Sequence, residues 1–157
     1  MKTPNRRRRS TRTSPRNGAA AVECAIVAPL LTLLLLGAID LGQFANVHQK
    51  VSNASREGAR VAARYDTLTT SEVQAAVLDY LEKTSPGVSP STLAATTVVT
   101  VSNSAGTPIS AGNLASVATG SQVRVQVTLQ FDPVRWISGL DGLDGRQITA
   151  TAMMRRE

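Results

Sequence analysis

Histidine, cysteine and aromatic residues are scarce in this sequence. Its 157 residues include one His, His48, one Cys, Cys24, and 3% aromatic side chains. A catalytic site needs a nucleophile with a base and an orienting group, and a metal site needs clustered His, Cys or carboxylate ligands; neither set can be assembled here. A single Cys also excludes a disulfide framework. We therefore expect no enzyme activity, no metal and no cofactor, and we expect His48 to lie at the surface.

Acidic residues are absent from the first eighteen positions, which hold seven Lys and Arg residues. The remaining positions hold ten basic and eleven acidic residues, so the net charge of +6 arises in this tail. A basic tail can bind nucleic acid or acidic lipid, or it can set membrane topology. Because the tail contains no aromatic residue that could stack on bases, we favour a topology signal over nucleic-acid binding.

A long apolar run follows the tail. In residues 19–39 the only ionisable side chains are Glu23 and Cys24, and these twenty-one residues would form a helix of about 31 Å, the thickness of a bilayer core. Lys and Arg are more numerous before the run than after it, so the positive-inside rule places the tail in the cytoplasm. The sequence thus predicts a cytoplasmic leader (1–18), a transmembrane helix in the bacterial inner membrane (19–43) and a periplasmic domain (44–157).

The helix is expected to continue beyond the membrane, because no Pro occurs between Pro29 and Pro86. Apolar or small residues recur there at steps of three and four, which is typical of an amphipathic helix. A single helix from residue 19 to 65 would be about 70 Å long. The apolar stripe of its outer half consists of Phe44, Val47, Val51, Ala54, Gly58, Val61 and Tyr65.

Three small residues, Ala54, Gly58 and Ala62, lie four positions apart on this helix. The spacing makes one side of the helix shallow, so that another backbone could pack closely against it. The alternative is that Gly58 only weakens the helix, by about 1 kcal/mol.

The remainder predicts a small α+β domain. A capping box at Ser71 and Gln74 predicts a short helix over residues 71–83, and the Pro- and Gly-containing segment 85–91 ends it. Alternating and β-branched patterns then predict three or four antiparallel strands, packed under the outer half of the long helix. The strands are Thr96–Ser102, Gln122–Phe131 and Gln147–Met154, the last with Ile148, Ala150, Ala152 and Met154 facing inward.

A segment rich in Gly and Asp precedes the last strand. Its Asp141, Gly142, Asp144 and Gly145 permit a calcium-loop interpretation. The spacing does not match the EF-hand pattern, which needs further ligands and a late Glu. We therefore favour a solvated hairpin loop.

One acidic residue interrupts the apolar run. Burying the carboxylate of Glu23 at mid-bilayer would cost about 2.5–3.5 kcal/mol, and less near an end, so an intramembrane Glu is a candidate functional residue. Alternatively, Glu23 lies shallow and reaches the lipid headgroups. In the first turn of the helix it would also face the positive end of the helix dipole.

The segment from Arg16 to Glu23 resembles the class III signal of type IV pilins. It has a basic leader, a Gly, and a Glu at what would be the fifth position of the mature chain, followed by an apolar run. The resemblance implies that a prepilin peptidase cuts between Gly18 and Ala19. The freed α-amino group of Ala19 would then lie one helical turn from Glu23 and could pair with it in the same or a neighbouring chain.

Longer runs resemble the TadE-like family in particular. This resemblance implies a minor pilin, or pseudopilin, that takes part in assembly of a tight-adherence type IV pilus, with other pilins and inner-membrane assembly proteins as partners and with Glu23 and Pro29 as assembly residues. Position 24 is usually aromatic in this family and is Cys here, which could pack as a small apolar residue. The preceding Glu excludes a lipoprotein signal. The similar runs are Gly18–Glu23, Pro29, Gly37–Gly42, Ala54–Arg60 and Ile148–Arg156.

Two other functions stay open at this point. One is an unprocessed, membrane-anchored periplasmic module that binds a partner or ligand. The other is a secreted protein whose leader is removed after the apolar run, although that run exceeds the usual length of about 7 to 15 residues and no small-x-small cleavage site follows it. Cleavage after Gly18 would distinguish a pilin from both.

Overall fold

Three α-helices and three strands form the part of the chain that the structure, a computed structural model, describes: residues 16–109, 112–136 and 144–157. The chain divides after Gly37 into two units, of which the second, Ala38–Glu157, contains the sheet. Short 3-10 helices lie at Leu114–Ser116 and Asp132–Val134. The helices are α1 (Arg16–Ala63), α2 (Thr70–Thr84) and α3 (Pro90–Thr96), and the strands are β1 (Thr97–Asn103), β2 (Gln122–Gln130) and β3 (Gln147–Arg155). This confirms the predicted α+β fold with a long N-terminal helix.

Helix α1 runs without a break through Pro29. It ends at Ala63, two residues before the predicted end, where the Thr67 hydroxyl donates to the Val61 carbonyl at 2.7 Å and turns the chain away. The prediction that Tyr65 belongs to the apolar stripe is wrong, since Tyr65 follows the helix and is 79% exposed. Val47, Val51 and Ala54 are buried as expected.

Helix α2 begins one residue earlier than predicted and has a different cap. Thr69 is the N-cap, and its hydroxyl accepts from the Glu72 backbone N–H at 3.4 Å. The predicted capping box at Ser71 and Gln74 is therefore wrong, because both residues lie inside the helix. Thr69 and Glu72 are three positions apart and fit the capping-box pattern, two residues upstream of the predicted pair.

Helix α3 was not predicted. Pro90 in the sequence indicates the end of a helix, but a Pro in the first turn of a helix loses no intrahelical hydrogen bond and favours a helix start. The Ser89 side chain caps this helix by accepting from the Thr92 backbone N–H at 3.2 Å. Leu93 is the residue that α3 buries, and the chain passes directly into β1.

The sheet has the order β1-β2-β3, and both pairs of strands are antiparallel. The predicted alternation along β2 is confirmed, with Val123, Val125, Val127 and Leu129 buried and the intervening residues more exposed. In β3, Ile148 is buried, and the predicted inward face is confirmed by the register, which pairs Ile148, Ala150, Ala152 and Met154 with the buried Leu129, Val127, Val125 and Val123 of β2. Met154 is nevertheless 37% exposed, since it lies opposite Val123 near the end of an edge strand.

Helices α1 and α2 and strand β2 approach each other at Gly58. A Cβ atom at this position would lie 2.7 Å from Val77 Cγ2 of α2 and 3.2 Å from Val125 Cγ1 of β2. Both valines are fully buried and their short side chains have few other positions. The absence of a side chain at Gly58 therefore sets how closely the two layers pack.

We expect Gly58→Ala to lower the free energy of unfolding by about 1–3 kcal/mol, because the overpacking outweighs the better helix propensity of Ala. Urea unfolding of the detergent-solubilised chain measures this. Gly42→Ala is the matched control, since nothing lies within 4 Å of its added Cβ atom, and it should stabilise the helix by up to about 1 kcal/mol. Equal stabilisation by both substitutions would contradict the close packing at Gly58.

Candidate functional site

The first half of α1 exposes large apolar side chains on all sides. Among the described residues, α1 is the one helix that is long and apolar enough to cross a membrane, and its most apolar window is entirely unburied. An apolar surface of this extent is unfavourable in water and indicates burial in lipid or against other apolar helices. The exposed side chains include Val22, Ile26, Leu30, Leu31, Leu33, Leu34 and Leu35.

The predicted processing residues and Glu23 lie together at the start of this helix. Gly18 and Ala19 are helical and exposed, and nothing lies within 4 Å of a Cβ atom built on Gly18. Glu23 is also exposed, and Ala20, Cys24 and Val27 lie beside it. Ala19 and Glu23 are four residues apart, a rise of about 6 Å, so they occupy the same face of successive turns.

Pro29 lies within α1 without ending it. It has no N–H to donate to the carbonyl four residues earlier. Near it, the Thr32 hydroxyl donates a hydrogen bond to the Ala28 carbonyl of the same helix at 2.8 Å. This polar side chain therefore needs no partner outside the helix. The segment around Pro29 therefore presents an apolar surface.

The three small residues Ala54, Gly58 and Ala62 are all buried in the unit Ala38–Glu157. At Gly58 the nearest atoms are side chains of α2 and β2 of the same chain. The side of α1 that carries these small residues thus packs against α2 and β2 of its own domain.

A buried ion pair lies where α1 enters the unit Ala38–Glu157. The Arg135 guanidinium donates two hydrogen bonds to the two carboxylate oxygens of Asp40, from Nε and Nη2, each at 2.9 Å. The two side chains are 2% and 6% exposed. Hydrogen bonding to Asp40 raises the pKa of Arg135 above its ordinary value, and Arg135 also donates to Asp144. The opposite charges of Arg135 and Asp40 thus compensate each other through two charge-assisted hydrogen bonds.

Further contacts join α1 to the segment that follows β2. Gln43 donates from Nε2 to the Val134 carbonyl at 3.0 Å and accepts from the Trp136 backbone N–H at 3.0 Å. The rings of Phe44 and Phe131 meet edge to face with their centroids 5.2 Å apart. We call Asp40, Gln43, Val134, Arg135 and Trp136 the helix-entry cluster. It attaches one turn of α1 to the segment that follows β2 through four side-chain hydrogen bonds.

Residues 18–60 match the family model described as TadE-like protein. This confirms the predicted TadE-like resemblance. No curated protein and no solved structure matches the chain. The TadE-like segment contains Gly18, Glu23, Asp40 and Gly58, whereas Arg135 and the whole sheet lie outside it.

The helix-entry cluster was not predicted from the sequence. Asp40 stands at the end of an apolar run within the TadE-like segment, and a carboxylate that is buried next to an apolar segment needs a compensating partner. That signal could have singled out Asp40. It could not have identified Arg135, which is 95 positions away.

The residues of the calcium-loop interpretation are only partly described by the structure. Within residues 16–109, 112–136 and 144–157, no three His, Cys, Asp or Glu side chains are placed to bind a metal ion. Asp141 and Gly142 of the calcium-loop interpretation lie outside the described residues. Asp144 is described and its carboxylate accepts from Arg135. His48 is exposed on α1, as expected.

We expect Arg135→Met to lower the thermal unfolding midpoint clearly, because it leaves the Asp40 carboxylate buried without its cation. The double variant Asp40→Leu with Arg135→Met should recover most of that loss, since an apolar pair can replace a buried ion pair. Circular dichroism of the detergent-solubilised chain gives the midpoints.

Lys83→Met is the matched control, because it breaks the ion pair between Lys83 and Asp79, whose side chains are 71% and 61% exposed. An exposed pair contributes little, so this midpoint should hardly move. An equally small effect of Arg135→Met would show that the helix-entry cluster does not hold the two segments together.

Proposed function

We propose that this chain is a membrane-anchored minor pilin, or pseudopilin, that takes part in assembly of a tight-adherence type IV pilus. The observation that carries this proposal is the TadE-like match over a helix whose apolar half is wholly exposed. Such a helix needs lipid before assembly and other apolar helices after it. The role is structural and not enzymatic.

The chain would cross the bacterial inner membrane once, with the basic leader in the cytoplasm and the unit Ala38–Glu157 in the periplasm. The leader's seven positive charges support this orientation. Asp40 and Gln43 are hydrogen-bonded by the segment after β2. The hydrocarbon-spanning part would therefore end near Ile39, and residues 40–43 would already belong to the periplasmic domain.

A prepilin peptidase would cut the peptide bond between Gly18 and Ala19. The open surroundings of Gly18 support this, because a protease must reach the backbone of its substrate. Hydrolysis releases the basic leader and leaves an α-amino group on Ala19. That cation would lie about one turn from the Glu23 carboxylate, so the charge that is costly to bury gains a partner in the apolar helix bundle.

The partners follow from the two exposed surfaces of the anchored chain. The apolar face around Glu23 and Pro29 would pack against the helices of other pilins and of inner-membrane assembly proteins. Cys24 lies beside Glu23, is exposed and is small enough to allow close packing. The sheet domain would remain at the surface of the assembly.

We expect Gly18→Val to keep its leader, since a side chain at Gly18 obstructs the peptidase, and to stay in the membrane unassembled. Glu23→Ala should be processed normally, because it inserts at least as well as the parent, but it should fail to assemble since the α-amino group of Ala19 loses its partner. Immunoblotting of membrane and sheared pilus fractions separates the leader-bearing, processed and assembled forms.

Glu82→Ala is the matched control, because it removes an exposed carboxylate from α2 of the sheet domain. It should be processed and assembled like the parent. If Glu23→Ala were also to assemble normally, Glu23 would be no more than a shallow charge near the headgroups.

A further inference from the structure

Trp136 is an exposed aromatic residue on a fixed backbone. It is the only Trp of the chain, and its side chain is 81% exposed. Its backbone N–H donates to Gln43 Oε1 of α1 at 3.0 Å, and the preceding residue, Arg135, is held by the buried ion pair. The backbone of Trp136 is therefore fixed beside Gln43 of α1. Within the described residues, little covers its indole ring.

Apolar surface adjoins this side chain. An open groove of about 420 Å³ lies beside Trp136, and apolar side chains and small residues make up most of its lining. Ile39, which lines this groove, is exposed as well. The charges of Asp40 and Arg135 compensate each other below this surface. The groove is lined by Ile39, Gly42, Val47, Val88, Val134 and Trp136 among others.

The height of Trp136 along α1 is that of lipid headgroups. If the hydrocarbon span ends near Ile39, Gln43 lies four residues further, a rise of about 6 Å. The headgroup layer on each side of a bilayer is about 5–8 Å thick. The backbone of Trp136, bonded to Gln43, would thus lie within this layer, where the amphipathic indole ring of Trp is most favourable.

We propose that this end of the domain docks on the membrane, with Trp136 inserted among the phospholipid headgroups of the periplasmic leaflet and the Ile39 end of the adjoining groove facing lipid. This rests on the proposed function in one respect, the membrane span of α1. Lipid is the occupant because any chain anchored by α1 has headgroups at this height, whether or not it has assembled. The contact would fix the domain against the bilayer before assembly.

The fluorescence of full-length protein in phospholipid vesicles tests this, since all Trp emission comes from Trp136. We expect the emission maximum to be shifted to the blue of Trp in water and the emission to be weakly quenched by iodide. Lipids brominated close to the headgroup end of the acyl chain should quench it more than lipids brominated near the chain terminus.

The matched control carries Trp136→Phe together with Tyr65→Trp. Tyr65 is similarly exposed but follows the far end of α1; Ala63 lies 24 residues beyond Ile39, a rise of about 36 Å. This reporter should emit as in water, be quenched by iodide and be insensitive to brominated lipid.

Two outcomes would overturn the docking alone. One is water-like, iodide-quenched emission of Trp136 in protein that floats with the vesicles. The other is blue-shifted emission without quenching by brominated lipid, which would place Trp136 against protein, such as a second copy of the chain. A chain that does not float with vesicles would instead overturn the membrane span of the proposed function, and the docking with it.

Discussion

A single helix has to satisfy two environments, and the rest of the fold depends on how it does so. The first half of α1 exposes apolar side chains with none of its most apolar window buried. The second half buries Val47, Val51 and Ala54 as part of the core under β2. Because the inner face of β2 is fully apolar, its exposure to water would be unfavourable, and the sheet needs this cover to be stable. The exposed apolar segment and part of the domain's core thus belong to one helix, and Gly58 sets how closely that helix packs on α2 and β2.

In the proposed function, α1 would pass from lipid to water at the helix-entry cluster. A carboxylate at the end of an apolar run would be costly near hydrocarbon, and its bidentate pairing with Arg135 compensates that charge. Gln43 adds two hydrogen bonds to the backbone of Val134 and Trp136. The segment after β2 is thereby tied to the beginning of the domain's helix. The same contacts hold the exposed Trp136 beside Gln43 of α1. The helix-entry cluster therefore connects α1 to the segment after β2 and also positions the residue of the proposed membrane contact.

Local periodicity made the long helix and the strands predictable from sequence. Apolar steps of three and four along α1, and strict alternation along β2, are strong signals because each depends only on neighbouring residues. The cap of α2 was misplaced because Thr69 and Ser71 both suit an N-cap, and α3 was missed because Pro90 can end or begin a helix. Gly18 and Glu23 were singled out by a resemblance to the class III signal of type IV pilins, and their roles stay predictions. The pairing of Asp40 with Arg135 could not be predicted, since it depends on tertiary packing across 95 positions.

The N-terminal residue of the chain extracted from membranes tests the pilin account most directly. Removal of the leader after Gly18 would be visible by Edman sequencing or by mass spectrometry of the intact chain. The account predicts Ala19 as the first residue, with the apolar half of α1 still attached to the domain. A chain that begins at Met1, or one cut after the apolar run, would contradict it.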